Sequence, residues 1–480
     1  MRRGWKTFFF SEGGSASGGE GKRITLMGLG LLGRGVGDAA FLAACGARVL
    51  VTDRKTSEEL APSLRRLKKY STIRYALGGH KIQDFRNADM VIKAAGVPLD
   101  SPYIREARKH KVTVHMSTAL FVKLLPPDVT VIGVTGTRGK TTTTNLIYEI
   151  LKRHTTYNIR HTKSRIFLGG NVRGVSTLAM LPKVKSGDFV ILELDSWQLQ
   201  GFADLKISPH IAVFTTFYPD HMNYYGGSMR KYFSDKASIF TNHETHNTKQ
   251  KKEGHLIVGE QAMSFVKKWE PKHARRAVVT RASTSPIDWT SKLLGEHNRY
   301  NIGCAIAAAD ALGISRAITK KAVESFRGVP GRLELVREVR GVKIYNDTTA
   351  TTPEATIAAL RALGDPPSLK LRRARKQNIV LIMGGADKGL DMRSLVREIP
   401  KYCKAVLLLA GSGTENFRFQ ISDFRFKDRE AKSLREAVER ARDAAKKGDM
   451  ILFSPAFASF GMFKNEYDRG ERFTRLVRTL

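Results

Sequence analysis

The chain has 480 residues, 42% of them hydrophobic, a length that suits about three domains with their own cores. Its three cysteines, Cys45, Cys304 and Cys403, are far apart and show no Cys-x-x-Cys spacing, which excludes a disulfide framework or cysteine-based metal site and points to a reducing cytoplasm. The net charge is +36, but the basic excess is spread along the chain, with its densest patches at 249–252 and 370–376 reading as inserted loops. No zinc-finger spacing or RNA-recognition signature accompanies it, so it reads as the surface of an enzyme with anionic substrates, with no specific nucleic-acid partner.

Arg2, Arg3 and Lys6 precede only three apolar residues, Phe8, Phe9 and Phe10, too few for a signal-peptide core. No stretch approaches the ~20 apolar residues of a membrane span, and no membrane partner is expected. The Gly/Ser-rich run 11–21 marks residues 1–21 as a disordered tail. A first strand is expected over 24–27, followed by Gly28-Leu29-Gly30-Leu31-Leu32-Gly33 and a helix, then a strand over 49–52 ending at Asp53. Further strands over 90–92 and 112–114 continue a strand/helix alternation, which implies a parallel sheet covered by helices. Pro126-Pro127 then reads as a linker.

A second domain begins with a strand over 129–134 that runs into Gly136-Thr137-Arg138-Gly139-Lys140-Thr141-Thr142 and a helix over 139–153. Strands are expected over 189–194, 211–215 and 256–258, and a helix over the Ala-rich 298–312. A third domain carries strands over 342–345, 379–383, 406–409 and 450–453. The expected class is therefore α/β with three domains: a Rossmann-like parallel sheet (22–126), a P-loop ATPase-like domain (127–329) and a Rossmann-like C-terminal domain (330–480).

Strand, glycine turn and helix aim several backbone N–H groups and a helix N-terminus at one anion, so 136–142 reads as an ATP phosphate loop. Lys140 suits the β/γ-phosphates and the Thr141 hydroxyl suits Mg²⁺, although Val134 stands where the strict Walker pattern wants Gly. Gly28-x-Gly30-x-x-Gly33 with Asp53 matches a dinucleotide fingerprint. An NAD-dependent oxidoreductase would use it but would leave the phosphate loop unexplained. The domain is therefore expected to hold a different nucleotide-like substrate. Glu193, at the end of a buried strand, and His221, in Asp220-His221-Met222, join Lys140 at three strand ends of one domain. That grouping points to a shared metal–phosphate site.

Taken together these motifs resemble the Mur ligase family, ATP-dependent amino-acid ligases of bacterial cell-wall synthesis, over about 22–480. The resemblance implies ATP contacts at Gly136, Thr137, Arg138, Gly139, Lys140, Thr141, Thr142, Asn171, Asn298, Asn301, Arg332 and Asp347. It implies two Mg²⁺ ions held by Thr141, Glu193, His221 and Lys236, the last after reaction with CO₂ to a carbamate, and catalytic roles for Lys140, Glu193, His221 and Lys236. UDP-substrate contacts fall at Leu31, Leu32, Gly33, Asp53, Lys55 and Gly96, and D-glutamate contacts at Lys388 and Ser459. The expected activity joins D-glutamate to UDP-N-acetylmuramoyl-L-alanine through an acyl phosphate, in a cytoplasmic monomer with small-molecule partners. A sister ligase adding another amino acid, such as L-alanine, would differ around Lys388 and Ser459. Departures from the family pattern occur at Arg138, Asp195, Thr349, Glu466 and Lys55, where Asn, Ser, Lys, Phe and Arg are familiar.

Overall fold

The computed structural model describes residues 8–9, 21–157, 164–242, 254–364, 377–418 and 430–480. The basic patches 249–252 and 370–376, and 1–7 and 10–20 of the predicted tail, lie outside the described residues. The chain divides into two compact units, Met1–Thr284 with Asn301–Ala322, and Ser285–Tyr300 with Val323–Leu480. The first unit contains two sheets and the second contains one.

The first sheet comprises β1 (Arg23–Met27), β2 (Arg48–Asp53), β3 (Ile73–Leu77), β4 (Met90–Lys93) and β5 (Thr113–His115). All its pairings are parallel, in the order β3-β2-β1-β4-β5. The order reverses at β1, which places the glycine turn that follows β1 at the switch point where α/β sheets take their ligands. Strands β1 and β4 are buried almost throughout, the continuous apolar pattern of a strand covered on both faces.

The second sheet comprises β6 (Thr130–Thr135), β7 (Ile166–Gly170), β8 (Phe189–Glu193), β9 (Ile211–Phe214), β10 (His255–Gly259) and β11 (Val278–Thr280). Its order is β11-β10-β9-β6-β8-β7, again parallel throughout. The central strand β6 runs directly into the phosphate loop, and helix Lys140–Tyr157 follows. The second unit has β12 (Glu334–Val339), β13 (Val342–Asn346), β14 (Ile379–Gly384), β15 (Cys403–Leu409), β16 (Glu430–Ala431) and β17 (Met450–Phe453). Their order is β12-β13-β17-β14-β15-β16, and β12 pairs antiparallel with β13 while the others are parallel. The expected all-parallel reading thus gains one antiparallel edge strand, a hairpin closed at the tight Arg340-Gly341 turn, where both residues have positive φ.

Within the first unit one apolar cluster runs through both sheets, from Ile24 and Leu42 to Phe202 and Phe214. The two sheets meet closely because helix Arg34–Ala44 offers a glycine there: a Cβ on Gly37 would lie 2.4 Å from the Ser176 Cβ. Beside it the buried Asp38 carboxylate accepts the Ser176 hydroxyl at 2.6 Å. Burial outweighs that bond and raises the Asp38 pKa to about 6.

Phe8, Phe9 and Gly21 of the predicted tail lie among the described residues. Phe9 is fully buried, edge-on to Phe41 with ring centroids 5.7 Å apart, and its carbonyl accepts the Lys22 N–H. The disordered reading therefore does not extend to Phe8 and Phe9; apolar burial wins where the glycine-rich composition alone pointed to disorder. Phe9→Ala should lower the unfolding free energy by roughly 3 kcal/mol or more in urea titration, and an unchanged midpoint would show that the contact contributes nothing. The Asp38 carboxyl binds its proton more tightly folded than unfolded, so its contribution to stability falls as pH rises from about 4 to about 6. Asp38→Asn should remove that slope, so the melting temperature of the variant gains on wild type across that window. Parallel melting curves at every pH would contradict it.

Candidate active site

The phosphate loop is shaped by positive-φ glycines and by the strand next to it. Gly136 has φ 143° and Gly139 φ 87°. A Cβ on Gly136 would come within 2.1 Å of the Thr215 hydroxyl, and one on Gly139 within 2.3 Å of Asn301 Oδ1. Only glycine allows both the backbone turn and this close approach. Thr215 and Thr216, just beyond β9, then hold the loop. Thr137 N–H donates to Thr216 O at 2.7 Å, Arg138 N–H donates to Thr216 Oγ1 at 2.9 Å, and the Thr215 hydroxyl donates to Arg138 O. Neither threonine was anticipated from sequence, although two hydroxyls at the end of a buried strand were a usable signal. The buried Thr137 hydroxyl donates to Tyr218 O and lies 3.3 Å from the Tyr232 hydroxyl.

Lys140 and Lys236 meet on one oxygen. Lys140 Nζ donates to Gly136 O at 2.9 Å and to Thr137 O at 3.2 Å, while Lys236 Nζ donates to Gly136 O at 3.0 Å. Lys236 is 1% exposed and lies over the Tyr232 ring. Burial, followed by repulsion from Lys140, holds its amine well below the ordinary lysine range against the opposing pull of Asp195, Asp220 and Asp235. Its neighbour Asp235 accepts from Gln200 at 2.8 Å and from the Tyr225 hydroxyl at 2.9 Å.

Glu193 ends β8 as a buried carboxylate, and the Asn171 amide donates to it at 3.4 Å. Asn171 N–H donates to Glu193 O at 2.7 Å, a contact that needs Gly170, whose Cβ would lie 2.1 Å from that carbonyl. Asp195 accepts the Gln198 N–H at 2.7 Å and caps helix Ser196–Leu205. Its side chain is engaged as an N-cap, a role in which Ser serves equally well. His221 has φ 54°, a strained left-handed backbone for a non-glycine residue, and its ring packs on Trp197 with centroids 4.7 Å apart. Arg138, unexplained by sequence, lies 3.8 Å from Asp220, which is also 3.8 Å from His221 Nε2.

In the first sheet the glycine turn is tied to Asp53. One carboxylate oxygen accepts Leu29 N–H at 2.8 Å and Gly30 N–H at 3.0 Å, and the other accepts Lys55 N–H at 3.0 Å. Leu31 and Leu32 are exposed at the tip of the turn, and Lys55 pairs with Glu59 on the surface. Lys93, buried at the end of β4, donates to Val97 O at 2.8 Å and braces the turn that carries Gly96. Sequence reading missed Lys93, since a lysine ending a strand resembles any surface lysine.

The second unit gathers a separate set. Asp347 is buried, accepts Leu333 N–H at 3.0 Å and the Ser454 hydroxyl at 2.8 Å, and is raised by burial to about 7. Thr349 donates its hydroxyl to Gly331 O at 2.8 Å, bracing the turn that carries Arg332. Loop 384–386 pairs with Ala458, with Ala386 N–H to Ala458 O at 3.0 Å and the reverse bond at 3.1 Å. That pairing draws the loops of Lys388 and Ser459 alongside each other. Lys388 Nζ donates to the Thr351 hydroxyl at 3.1 Å, and Ser459 is buried. Asn298 is buried and its side chain donates to Leu294 O at 2.8 Å. Arg469, fully buried, donates to Thr348 O and Phe457 O and fastens the Asp347 loop to the Ser459 loop.

No helix among the described residues is long and apolar enough to cross a membrane, and they contain no cluster of three or more His, Cys, Asp or Glu residues suited to a metal. Three family models match: the MurD-like N-terminal domain of Mur ligases over 22–116, the Mur ligase middle domain over 134–309 and the Mur ligase glutamate ligase domain over 331–457. The UDP-N-acetylmuramoylalanine–D-glutamate ligase of Roseiflexus sp. is 38% identical, the match covering 95% of this chain and 98% of that protein. The enzyme of the same name from Borreliella burgdorferi is 33% identical, covering 95% and 97%. Among solved structures, the UDP-N-acetylmuramate-alanine ligase MurC of Thermotoga maritima superposes with a TM-score of 0.59 at 19% identity, covering 95% of this chain and 99% of that one. MurF of Acinetobacter baumannii gives 0.58 at 15%, covering 100% and 98%. These two share the fold. With three domain models in sequence and full-length relatives above 30% identity, this chain belongs to the Mur ligase family.

Proposed function

We propose that this chain joins D-glutamate to UDP-N-acetylmuramoyl-L-alanine at the cost of ATP, releasing ADP and phosphate. The observation that carries the reading is the convergence of Lys140 and Lys236 on the Gly136 carbonyl. A glycine loop that carries the Lys140 amine and opens a helix N-terminus favours a polyanion such as a nucleoside triphosphate, and the buried Lys236 beside it is set apart for a different role. The relatives, UDP-N-acetylmuramoylalanine–D-glutamate ligases, point to the acceptor and the amino acid.

A carboxylate is a poor electrophile because its charge repels an attacking amine. Its oxygen attacks the γ-phosphorus of ATP, the bond to the bridging oxygen breaks, and ADP leaves. The D-glutamate amine then attacks the acyl phosphate, loses a proton and expels phosphate. Lys140 neutralises the anions that must meet in the first step, and Asn171 adds a neutral donor. Lys388 and Ser459 hold the D-glutamate side-chain carboxylate.

The residues fit Mg²⁺. Glu193 is a buried carboxylate that accepts from the neutral Asn171 amide, and Thr141 stands in the first turn of the helix after the phosphate loop. When bound, the ion supplies further neutralisation of phosphate charge. A second ion at His221 requires an anionic partner, and Lys236 as a carbamate would provide it. Burial keeps the Lys236 amine neutral enough to attack CO₂; an N–C bond forms and the nitrogen loses a proton.

A nicotinamide oxidoreductase is disfavoured, because it would use the glycine turn at Gly28–Gly33 but leave the phosphate loop with Lys140 and Lys236 without a role. The enzyme acts in the cytoplasm, as a monomer, on small-molecule substrates.

With ATP, Mg²⁺ and UDP-N-acetylmuramoyl-L-alanine, phosphate should be released only when D-glutamate is added, and Lys140→Ala should abolish that release with an unchanged circular-dichroism spectrum. Release with UDP-N-acetylmuramate and L-alanine instead, or undiminished turnover by the variant, overturns the reading. Lys236→Ala should slow turnover by about a hundredfold or more. A carbamate carbon resonance on adding ¹³C-bicarbonate should be present in wild type and lost in the variant. A wild type without that resonance would refute the modification.

A further inference from the structure

Helix Arg34–Ala44 starts directly after the glycine turn, so Arg34 follows Gly33 in the stretch assigned to the UDP substrate. Arg34 Nη1 donates to Asn171 Oδ1 at 3.1 Å, joining residues 137 positions apart. Asn171 lies at the end of β7, and its other end faces Glu193, with Nδ2 donating to Oε1 at 3.4 Å. An amide has one accepting end and one donating end. By taking the accepting end, Arg34 fixes which end meets the carboxylate.

A second clasp stands four residues, about one helical turn, further on. The buried Asp38 accepts Ser176 Oγ at 2.6 Å, and Ser176 Oγ in turn accepts Ala179 N–H at 3.1 Å. Gly37 keeps the helix close, since a Cβ on it would lie 2.4 Å from Ser176 Cβ. The first turns of this helix are thereby fastened to 171–176 at two points, directly after the glycine turn assigned to the UDP substrate.

We infer that Arg34 is a positioning residue that couples the UDP substrate to the Asn171–Glu193 end of the phosphate site, so that filling either site tightens the other. The inference deepens the proposed function and rests on it. A guanidinium carries five N–H donors in a planar fork, so it can keep Asn171 while turning others to an anion at the glycine turn. A lysine would provide a point charge without the fork. Coupling of this kind is reciprocal, whichever ligand is added first.

The test titrates the full chain calorimetrically with the magnesium salt of a non-hydrolysable ATP analogue, with and without UDP-N-acetylmuramoyl-L-alanine. Wild type should bind the analogue at least about fivefold more tightly when the UDP substrate is present. Arg34→Met should bring that ratio within about twofold of unity while leaving the KM for D-glutamate unchanged, and Arg34→Lys should retain part of it. Asn171→Ala should likewise bring the ratio of the two affinities within about twofold of unity, whatever it does to the affinity itself, and the double variant should lose no more of the coupling than either alone. A wild type with no coupling, an Arg34→Met ratio equal to wild type, or variant effects that multiply would each overturn the inference. D-glutamate turnover by wild type is read in parallel. Its absence with the coupling intact overturns the assigned reaction and leaves the Arg34 role standing.

Discussion

The Gly136 carbonyl is the point on which the site depends. Two lysines donate to it, one from the helix that follows the loop and one from helix Met229–Ala237. Two ammonium groups on one oxygen repel each other, and the protein environment screens that repulsion far less than water does. Of the two, Lys236 is the more buried, and it is the one held toward the neutral amine. The arrangement therefore separates two chemically identical side chains into different roles. Lys140, partly exposed on the loop, is available as a cation, and Lys236 is available as a nucleophile or as the carrier of an added anionic group.

That division requires a loop that does not move when charge arrives. The loop's rigidity comes from its neighbours. Thr215 and Thr216 take up Thr137 and Arg138 through backbone and hydroxyl bonds, and Gly136 and Gly139 have no side chain because Thr215 and Asn301 occupy that space. Such donors and acceptors are set before any ligand is bound, which is what electrostatic preorganisation requires. On the other side of the site the same close packing recurs, where Gly170 brings β7 against the Glu193 carbonyl and so delivers Asn171 beside the carboxylate.

Much of this was legible in the sequence because it is local. The strand, glycine turn and helix around 136–142 are contiguous, and β1, β2, β4, β6, β8 and β9 are buried runs of Val, Ile and Leu. The strands missed were β3, β7, β11, β12 and β16: the apolar run of β7 is only half-buried and ends in two glycines, and β11 is three residues long. In β3 only the first residue is buried, in β12 the pattern alternates with charge at an edge, and β16 is two residues long. Phe9 was missed for the opposite reason, as an apolar residue embedded in a composition that reads as disordered. Contacts across long sequence separations, such as Arg34 to Asn171 or Arg469 to Thr348, leave no periodic trace, and they are what join the motifs into a site.

The positions where this chain departs from the family pattern show how such a site tolerates change. Arg138 stands beside Asp220, next to His221, so the added charge meets a carboxylate already present. Asp195 serves as a helix cap, Thr349 ties the Gly331 turn, and Glu466 sits in the first turn of helix Glu466–Arg478, where a negative charge suits the helix dipole. Lys55 pairs with Glu59 one helical turn away. Each substitution is satisfied by groups within its own loop or helix, or on the strand end beside it. None removes a donor to Gly136 O or the carboxylate of Glu193. Variation is thus confined to places where a local partner absorbs it, while the groups that must neutralise phosphate charge depend on distant elements and have no such substitute.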